Sequence, residues 1–352
     1  MASIEGRATA EASPNIAFIK YWGKRDEKLI LPQNSSLSMT LSSTTLKTTT
    51  SVVASNKINE DTFYINGKKL EMSDPEVRER LKAIGIMREL SGTTARVLAV
   101  SSNNFPSSSG LASSASGTAA LVYALNAAFG LDLKPKELSM IARQGSGSAC
   151  RSMMGGIVSW RKGSRNDGSD SYAVQEFSEK YWGEVIDLIA ITSHEKKKIP
   201  SRAGMKQTVE TNPFFTQRKT SAEKRLREVR EAYRQKDLDA LASLIMADSN
   251  EMHALMLSTV PSIRYLDSSS LKIMDAIEEL NASEGGNIAG YTFDAGPNAH
   301  IITLKKYERK ISSMLADIKG LEALEFKSSA QGSGPKLLTG VSLINEERLA
   351  PA

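Results

Sequence analysis

The spacing of apolar and polar positions predicts strands at the start of the chain, with helices placed between them. Residues 44–53 are dense in Thr and Val, and residues 63–65 lead into Asn66-Gly67, a strong signal for a two-residue hairpin turn. Asp74-Pro75-Glu76 supplies an N-cap, a proline at the first helical position and an early acid. Apolar residues then recur at helical spacing, which predicts a helix to about Leu90.

The remaining pattern mixes strands and helices along the whole chain. We expect strands at residues 97–100, 156–160, 172–176, 185–192 and 324–326, and a bent strand pair across 291–304. We expect helices from the end of a serine-rich loop to residue 129, twice within 221–257, and at 271–280 and 307–318. This order favours an α+β fold with two domains, residues 1–193 and 194–352.

Length and composition are those of a folded protein with two domains. The 352 residues are 40% hydrophobic and 24% charged, and this length suits two domains of roughly 100–200 residues. The net charge of +5 is spread along the chain. The basic run at residues 196–198 has no flanking aromatic residues on which nucleobases could stack, so we interpret it as a solvated loop and expect no nucleic-acid partner.

Cysteine and histidine content limits the chemistry that the chain can support. Cys150 is the only cysteine, so an intrachain disulfide cannot form, and three scattered histidines cannot assemble a soft-metal cage. No stretch approaches the roughly 20 apolar residues that span a bilayer, and the first residues lack the apolar core of a signal peptide. We therefore expect a cytosolic protein that does not associate with membranes.

The serine-rich segment at residues 106–115 is the first candidate for chemistry. Its small residues let backbone N–H groups approach a ligand, and the helix that follows adds partial positive charge, so a phosphate group suits the segment. The segment matches neither the Walker loop nor the dinucleotide fingerprint. Tight packing of the helix explains the same composition equally well, and the loop alone does not decide between these interpretations.

Three further segments place charge at the ends of apolar runs. Residues 14–26 end in two lysines, two aromatics and an arginine, and taken alone they are best interpreted as a solvated strand end. In residues 144–151, two serines and Arg151 follow a flexible Gly-Ser turn, and Arg can grip a carboxylate through two hydrogen bonds. Residues 292–298 set Asp294 beside a tight turn, where a general base would fit, although most such sequences are only turns.

Together these segments resemble the diphosphomevalonate decarboxylase family, a branch of the GHMP kinase superfamily. The resemblance rests on five stretches in the family's order: NIAFIKYWGKRDEKLILPQNSSLS, NNFPSSSGLASSASG, GSGSACRS, SRAGMKQTVET and YTFDAGPNA. It implies a two-lobed α+β fold, with an N-terminal domain like domain 2 of ribosomal protein S5 and a ferredoxin-like C-terminal domain. ATP and substrate would meet between the lobes.

The resemblance also implies an activity. Members of the family phosphorylate the 3-hydroxyl of mevalonate 5-diphosphate with ATP and Mg²⁺, then lose phosphate and carbon dioxide to give isopentenyl diphosphate, and many are homodimers. We therefore expect a mevalonate-pathway lyase that forms a homodimer. Relatives that decarboxylate mevalonate 5-phosphate, or the 3,5-bisphosphate without ATP, remain alternatives, as do a mevalonate 3-kinase and a catalytically silent nucleotide or RNA sensor.

The resemblance assigns roles to individual residues. Asp294 would take the 3-hydroxyl proton, Lys20 would keep it ionised and stabilise the transferred phosphoryl group, and Arg151 would hold the substrate carboxylate. The residues expected to contact substrate are Tyr21, Lys24, Ser146, Ser148, Arg151, Arg202 and Met205. Those expected to contact ATP are Asn104, Ser107, Ser108, Ser109, Gly110, Leu111, Ala112, Ser113 and Ser114, with Ser113 or Ser114 near Mg²⁺.

Three positions depart from the family pattern. Asn212 stands where the family usually has serine, Gln33 replaces a commoner aliphatic or small residue, and residues 332–335 are a variant of a glycine-proline segment. None of the three decides the substrate. Lys24 and Arg202 together supply the charge that a diphosphate needs, and they favour the 5-diphosphate.

Overall fold

The computed structural model describes residues 5–105, 113–195, 197–321 and 324–352. The strands are β1 (Gly6–Ala12), β2 (Asn15–Ile19), β3 (Lys24–Asp26), β4 (Leu31–Pro32), β5 (Ser36–Thr40), β6 (Thr48–Ser55), β7 (Thr62–Ile65), β8 (Lys68–Lys69), β9 (Arg96–Asn103), β10 (Ile157–Trp160), β11 (Ala173–Phe177), β12 (Val185–Ile191), β13 (Ala289–Phe293), β14 (Ala299–Leu304), β15 (Glu325–Ser329), β16 (Lys336–Leu337), β17 (Ile344–Asn345) and β18 (Ala350–Pro351). The helices are α1 (Pro75–Ser91), α2 (Ser113–Ala128), α3 (Pro135–Gly145), α4 (Ser201–Thr211), α5 (Phe215–Gln235), α6 (Leu238–Leu257), α7 (Ser268–Glu284) and α8 (Glu308–Ala316), with 3₁₀ helices at Gly147–Met153 and Lys305–Tyr307. The predicted α+β class is confirmed.

The first half of the chain builds a six-stranded sheet in the order β16-β1-β6-β9-β7-β8, antiparallel except between β7 and β9. Its apolar face packs against α1, α2 and α3. Small residues such as Ala120 and Ala124 let α2 approach the sheet closely. A Cβ on Gly6 would lie 1.7 Å from the carbonyl oxygen of Ala128. The body of α2 therefore owes its composition to tight packing.

The predicted hairpin at Asn66-Gly67 is confirmed. Both residues have positive φ, 49° and 78°, as a type I′ turn requires, and they join β7 to β8. The Asn66 side chain also accepts a hydrogen bond from the main-chain N–H of Asn103 (2.8 Å), which fixes the turn to the end of β9. The predicted helix after Asp74 is confirmed as α1.

Two four-stranded sheets, β11-β10-β5-β2 and β13-β14-β12-β15, meet through a shared core. Phe18 of β2 lies in one apolar cluster with Ile189 of β12 and Leu226 of α5. The cluster holds the two halves of the chain together. Lys20 follows β2 and Asp294 follows β13, so this packing brings their side chains to one junction.

Some elements differ from the prediction. Helix α5 begins at Phe215 rather than at residue 221, and β1, α3 and α4 were not predicted. A signal for α3 was present, because Pro135 opens the helix and the Glu137 side chain accepts a hydrogen bond from the main-chain N–H of Lys134 (2.8 Å). For β1, Ala and Glu in place of β-branched residues hide a strand whose C-terminal half is buried.

The two halves exchange strands near their junction. Strand β12 lies before the predicted boundary at residue 193 but pairs with β14 and β15, and β16 near the end of the chain pairs with β1. The position of the domain boundary stays a prediction. Within the described residues, none of the helices combines the length and apolar character needed to cross a bilayer.

Candidate active site

Lys20 and Asp294 form an ion pair at the junction of the two halves. Lys20 Nζ donates a hydrogen bond to Asp294 Oδ1 over 2.8 Å. The lysine side chain is 2% exposed, whereas the aspartate side chain is 33% exposed. The main-chain N–H of Gly296 bonds to the carbonyl of Asp294 (2.8 Å), which forms the tight turn. Asp294 therefore presents a fixed carboxylate to the cleft, and Lys20 holds it from behind.

Charges around Asp294 favour its ionised form. Burial raises the pKa of Asp294, but the positive charges of Lys20, His300 and Arg151 lower it, and the net pKa lies below the ordinary value. Burial and the charge of Lys20 lower the pKa of His253 to about 4, so this histidine of α6 is neutral at physiological pH. The site thus combines a carboxylate base with several nearby cations.

A buried ion pair that was not predicted fixes the backbone of Lys20. Asp248 accepts a hydrogen bond from the main-chain N–H of Lys20 (2.8 Å), and Arg218 donates to both of its carboxylate oxygens (2.7 and 3.0 Å). Both side chains are at most 1% exposed. The signal was available, because both residues interrupt the apolar stripes of α5 and α6, where a charge needs a partner.

Arg151 is held in place by three side chains. Its Nε donates to Asn15 (3.2 Å) and Ser38 (3.0 Å), and one terminal nitrogen donates to Ser36 (2.7 Å). Burial lowers the pKa of Arg151, and the negative charge of Asp294 partly opposes this. The predicted flexible Gly-Ser turn is wrong: a 3₁₀ helix at Gly147–Met153 carries the buried Arg151.

Ser146 and Ser148 flank the start of this 3₁₀ helix. Ser146 is buried and Ser148 is half-buried, and the carbonyl of Ser148 accepts a hydrogen bond from Asn15 Nδ2 (3.1 Å). The same asparagine therefore ties Arg151 and Ser148 to β2, which Lys20 follows.

Tyr21 packs tightly beside the 3₁₀ helix. Its ring lies 4.7 Å from that of Trp160, and a Cβ on Gly147 would lie only 2.8–3.0 Å from the tyrosine ring and hydroxyl. Burial raises the pKa of Tyr21, while the charges of Arg202 and Arg151 act in the opposite direction. Its buried hydroxyl makes no hydrogen bond within the part of the chain that the structure describes. That hydroxyl is a donor suited to an anionic ligand.

The two cations expected at a diphosphate are already paired with acids. Lys24 Nζ contacts Glu27 at 2.5 Å, and Arg202 pairs with Glu79 and donates to the carbonyl of Gly145 (3.3 Å). Met205 is buried in an apolar cluster with Trp22, Phe215 and Met256 and so contributes packing under α4.

The nucleotide-binding prediction is only partly covered by described residues. Ser107, Ser108, Ser109, Gly110, Leu111 and Ala112 lie outside them. Ser113 and Ser114 begin α2 and line a cavity of about 40 Å³ together with Thr48, Arg80 and Asn103. The side chain of Asn104 instead bonds to the backbone of Thr45 and Lys47 (3.1 and 2.8 Å).

The basic run lies in the loop before α4. Lys197 and Lys198 are exposed there, as predicted, and Lys196 lies outside the described residues. Lys197 Nζ donates a hydrogen bond to the Ser201 hydroxyl (3.0 Å). The interpretation as a solvated loop is confirmed for Lys197 and Lys198.

Comparison with known proteins identifies the family. Residues 12–173 match the diphosphomevalonate decarboxylase-like N-terminal domain, and residues 187–337 match the mevalonate 5-diphosphate decarboxylase C-terminal domain. A diphosphomevalonate decarboxylase of Homo sapiens is 43% identical over 308 residues, which cover 84% of this chain and 76% of that protein. The chain belongs to the diphosphomevalonate decarboxylase family.

Other members of the family match over nearly the whole chain. The diphosphomevalonate decarboxylase of Debaryomyces hansenii is 41% identical over 355 residues, 96% of this chain and 92% of its own length. A solved structure of MDDEF in complex with MVAPP, AMPPCP and magnesium superposes with a TM-score of 0.85 at 37% identity, and covers 95% of this chain and 99% of its own. The expected two-lobed GHMP fold is confirmed.

The departures from the family pattern have structural explanations. The Asn212 side chain donates to the carbonyl of Leu255 (2.6 Å) and to Ser258 (2.8 Å), which ties the end of α4 to the end of α6. Gln33 donates to the carbonyl of Lys24 (3.2 Å) within the β3–β4 hairpin. A Cβ on Gly332 would lie 2.1 Å from the backbone oxygen of Leu41. None of these contacts is with Asp294, Lys20 or Arg151.

The described residues suit ATP and Mg²⁺. The N-terminus of α2 offers partial positive charge and two serine hydroxyls beside a small cavity, and hydroxyl oxygen is a donor that Mg²⁺ accepts. Within the described residues, no cluster of three or more His, Cys, Asp or Glu side chains could hold a metal ion by itself. A cation here would therefore depend on phosphate oxygens as well as on Ser113 or Ser114.

Proposed function

We propose that this protein phosphorylates the 3-hydroxyl of mevalonate 5-diphosphate with ATP and then decarboxylates the product to isopentenyl diphosphate. The observation that carries the proposal is the Lys20–Asp294 pair, in which a buried lysine holds a partly exposed carboxylate. The charge of Arg151 also acts on Asp294. The comparisons support it, because the relatives are named diphosphomevalonate decarboxylases and the matched structure holds MVAPP, AMPPCP and magnesium.

Asp294 is the general base. Its lowered pKa keeps it ionised at neutral pH, so it can accept the proton of the tertiary 3-hydroxyl as that oxygen attacks the γ-phosphoryl group. Lys20 keeps the carboxylate in one orientation, and its charge stabilises the transferred phosphoryl group.

Arg151 holds the substrate carboxylate until it leaves. Its hydrogen bonds to Asn15, Ser36 and Ser38 fix the plane of the guanidinium group, and Ser146 and Ser148 supply hydroxyls beside it. A rigid guanidinium favours one substrate orientation, with the carboxylate at Arg151 and the 3-hydroxyl at Asp294.

Tyr21, Lys24 and Arg202 bind the 5-diphosphate, and Met205 supports the helix that carries Arg202. The unpaired, buried hydroxyl of Tyr21 donates to a phosphate oxygen. When substrate binds, Lys24 leaves Glu27 and Arg202 leaves Glu79, and both cations pair with the phosphate groups instead. Each cation therefore has an anionic partner before and after binding. Two exchangeable cations match the charge of a diphosphate better than that of a single phosphate.

The N-terminus of α2 binds the phosphate groups of ATP, with Ser113 or Ser114 near Mg²⁺; residues 107–112 are expected to complete this site. ATP supplies the phosphoryl group, and Mg²⁺ neutralises charge on its phosphates. After the transfer, the C3–O bond breaks and phosphate leaves with its electron pair. The bond between C2 and the carboxylate then supplies the electrons of the new double bond, and carbon dioxide leaves Arg151.

The deciding experiment is turnover of purified protein on mevalonate 5-phosphate, 5-diphosphate and 3,5-bisphosphate, each with and without ATP. We expect equal amounts of carbon dioxide and ADP from the 5-diphosphate, and only with ATP. ADP without carbon dioxide would indicate a 3-kinase. Reaction of the bisphosphate alone, independent of ATP, would show that the proposed substrate is wrong. The homodimer and the cytosolic location stay predictions.

A further inference from the structure

A buried histidine and a buried aspartate lie in contact in the sheet beside the strand that leads to Asp294. His300 Nδ1 lies 2.6 Å from Asp187 Oδ2, on the neighbouring strands β14 and β12. The side chains are 5% and 0% exposed. Their sheet face otherwise contributes apolar residues, including Ile189 and Ile302, to the core shared by the two halves. The reaction proposed above uses neither residue directly.

The buried carboxylate of Asp187 needs a cationic partner. Its second carboxylate oxygen is buried and makes no hydrogen bond to any part of the chain that the structure describes. A buried carboxylate is tolerated when a partner neutralises it, and His300 is the basic side chain in contact with it. A proton on Nδ1 that is donated to Asp187 Oδ2 lets His300 serve as that cation.

His300 is placed to act on Asp294. It lies opposite Thr292 of β13, two residues before Asp294, and on the other side it lies opposite Ile189 of β12. Thr292 in turn donates to the carbonyl of Ala17 (3.4 Å) in β2, the strand that Lys20 follows. The histidine therefore lies beside β13, which leads to Asp294, and Thr292 links β13 to the strand that leads to Lys20.

The elements packed around His300 carry further titratable groups. They include Asp187 of β12, Asp294 after β13, Lys20 after β2, Lys327 of β15, and Asp248, Glu251 and His253 of α6. Asp248 and Glu251 are paired with Arg218 and Arg225 of α5. Lys327 lies in the same row of the sheet, with Ile189 between it and His300. His253 is neutral at physiological pH.

We propose that His300, charged and anchored by Asp187, is a positioning residue for the reaction: it supplies a fixed positive charge behind Asp294 and orders the strand that carries this base. The inference rests on the proposed function, since it gives Asp294 the role of base. The proposal agrees with the lowered pKa of Asp294. Burial raises this pKa, and the charges of Lys20, His300 and Arg151 lower it.

The main test replaces the pair by apolar residues, in the double variant Asp187→Val, His300→Val, because a buried pair often yields to hydrophobic residues without loss of folding. The variant removes both charges of the pair, but His300 and not Asp187 is among the charges that act on Asp294. The net effect raises the pKa of Asp294, so the acid limb of kcat/KM moves to higher pH. A shift of one pH unit lowers kcat/KM about tenfold on that limb and leaves the plateau within about twofold. Asp187→Asn, which retains the packing, should move the limb in the same direction.

The matched control is Ser329→Ala, since Ser329 lies opposite Asp187 on β15 and is equally buried. It should leave the acid limb in place. A uniform loss of rate in the double variant with an unmoved limb would indicate a purely structural role and overturn the proposal. An unchanged pH profile would do the same.

A second readout does not need turnover. The carboxyl carbon of Asp294 can be titrated by ¹³C NMR and assigned with Asp294→Asn, in the wild type and in the double variant. The proposal requires a higher midpoint in the double variant, and equal midpoints overturn it. If the wild type releases no carbon dioxide, the proposed function fails on its own, and this titration still decides the role of His300.

Discussion

Asp248 accepts the main-chain N–H of Lys20 and the guanidinium group of Arg218 on the same carboxylate, so a buried ion pair in the C-terminal half fixes a residue of the N-terminal half. Arg225 adds a further contact to Asp248 at 2.9 Å. This arrangement places the end of β2 relative to α5 and α6. The position of Lys20, and through it that of Asp294, depends on these charges being paired.

Arg218→Met should therefore destabilise the fold and lower activity together. Removing one partner leaves a buried carboxylate partly uncompensated, which costs about 3 kcal/mol in the free energy of unfolding. Urea denaturation measures this loss, and kcat should fall in the same variant because Lys20 loses its anchor. Lys224→Met is the control, since Lys224 forms an exposed pair with Glu228 and should change stability by less than about 0.5 kcal/mol.

The same pair predicts a pH dependence of stability. Burial raises the pKa of Asp248, but Arg218, the N–H of Lys20 and Arg225 lower it below its ordinary value of 3.8. A carboxyl whose pKa is lowered on folding stabilises the fold above the unfolded pKa, and this contribution is lost as pH falls through the folded value. Wild-type stability should thus decline below about pH 4. Asp248→Asn should show a smaller decline, and equal slopes would contradict the assignment.

Asp294→Asn should abolish turnover and spare ATP binding. The amide keeps the size of the side chain but cannot take the 3-hydroxyl proton, so we expect kcat to fall by about 10³-fold or more. Binding of ATP, measured by calorimetry with the 5-diphosphate absent, should stay within about threefold of the wild type. Near-normal turnover in this variant would remove Asp294 from the role of base. Asp275→Asn, on the remote helix α7, is the matched control.

The parts of this site that lie in recognisable local segments could be predicted from the sequence. The parts that depend on contacts between distant residues could not. Asp294, Lys20 and Arg151 stand in recognisable segments, and the structure places the first two in contact. Asn15, Ser36 and Ser38, which hold Arg151, were not identified, because single polar residues in strands carry no signal of the partner they face.

The fold shows the same division. The hairpin at Asn66-Gly67 and helix α1 follow from local turn and capping chemistry, so the sequence was sufficient for both. The pairing of β12 with later strands, and of β16 with β1, depends on contacts between distant residues that no local pattern reports. The pair of Asp187 and His300 was missed for the same reason.

Arg151→Ala should chiefly weaken the positioning of substrate. The loss of a carboxylate contact should raise KM for the 5-diphosphate by about 10–100-fold, with a smaller change in KM for ATP. Steady-state kinetics with each substrate varied in turn measure the two effects separately. Arg161→Ala is the control, because Arg161 is exposed and packs over Tyr172. An equal rise in both KM values would point to general disruption of the site.

Gly147→Ala should impair substrate binding through Tyr21. The new Cβ would lie 2.8–3.0 Å from the tyrosine ring and hydroxyl, so the ring must shift away from its packing on Trp160. We expect KM for the 5-diphosphate to rise by about tenfold with a modest loss of stability, of about 1–3 kcal/mol. Gly183→Ala, where nothing lies within 4 Å of the added carbon, should be neutral in both measurements.

Asn212 should affect stability without affecting the choice of substrate. Its side chain joins the ends of α4 and α6 through Leu255 and Ser258, so Asn212→Ala should cost about 1 kcal/mol by removing these hydrogen bonds. The ratio of kcat/KM for mevalonate 5-diphosphate to that for 5-phosphate should not change, because Asn212 contacts neither Lys24 nor Arg202. Arg202→Met, in contrast, should reduce that ratio, since it removes a cation from the diphosphate end of the site. A changed ratio in Asn212→Ala would contradict this prediction. It would show that Asn212, where the family usually has serine, affects the choice of substrate.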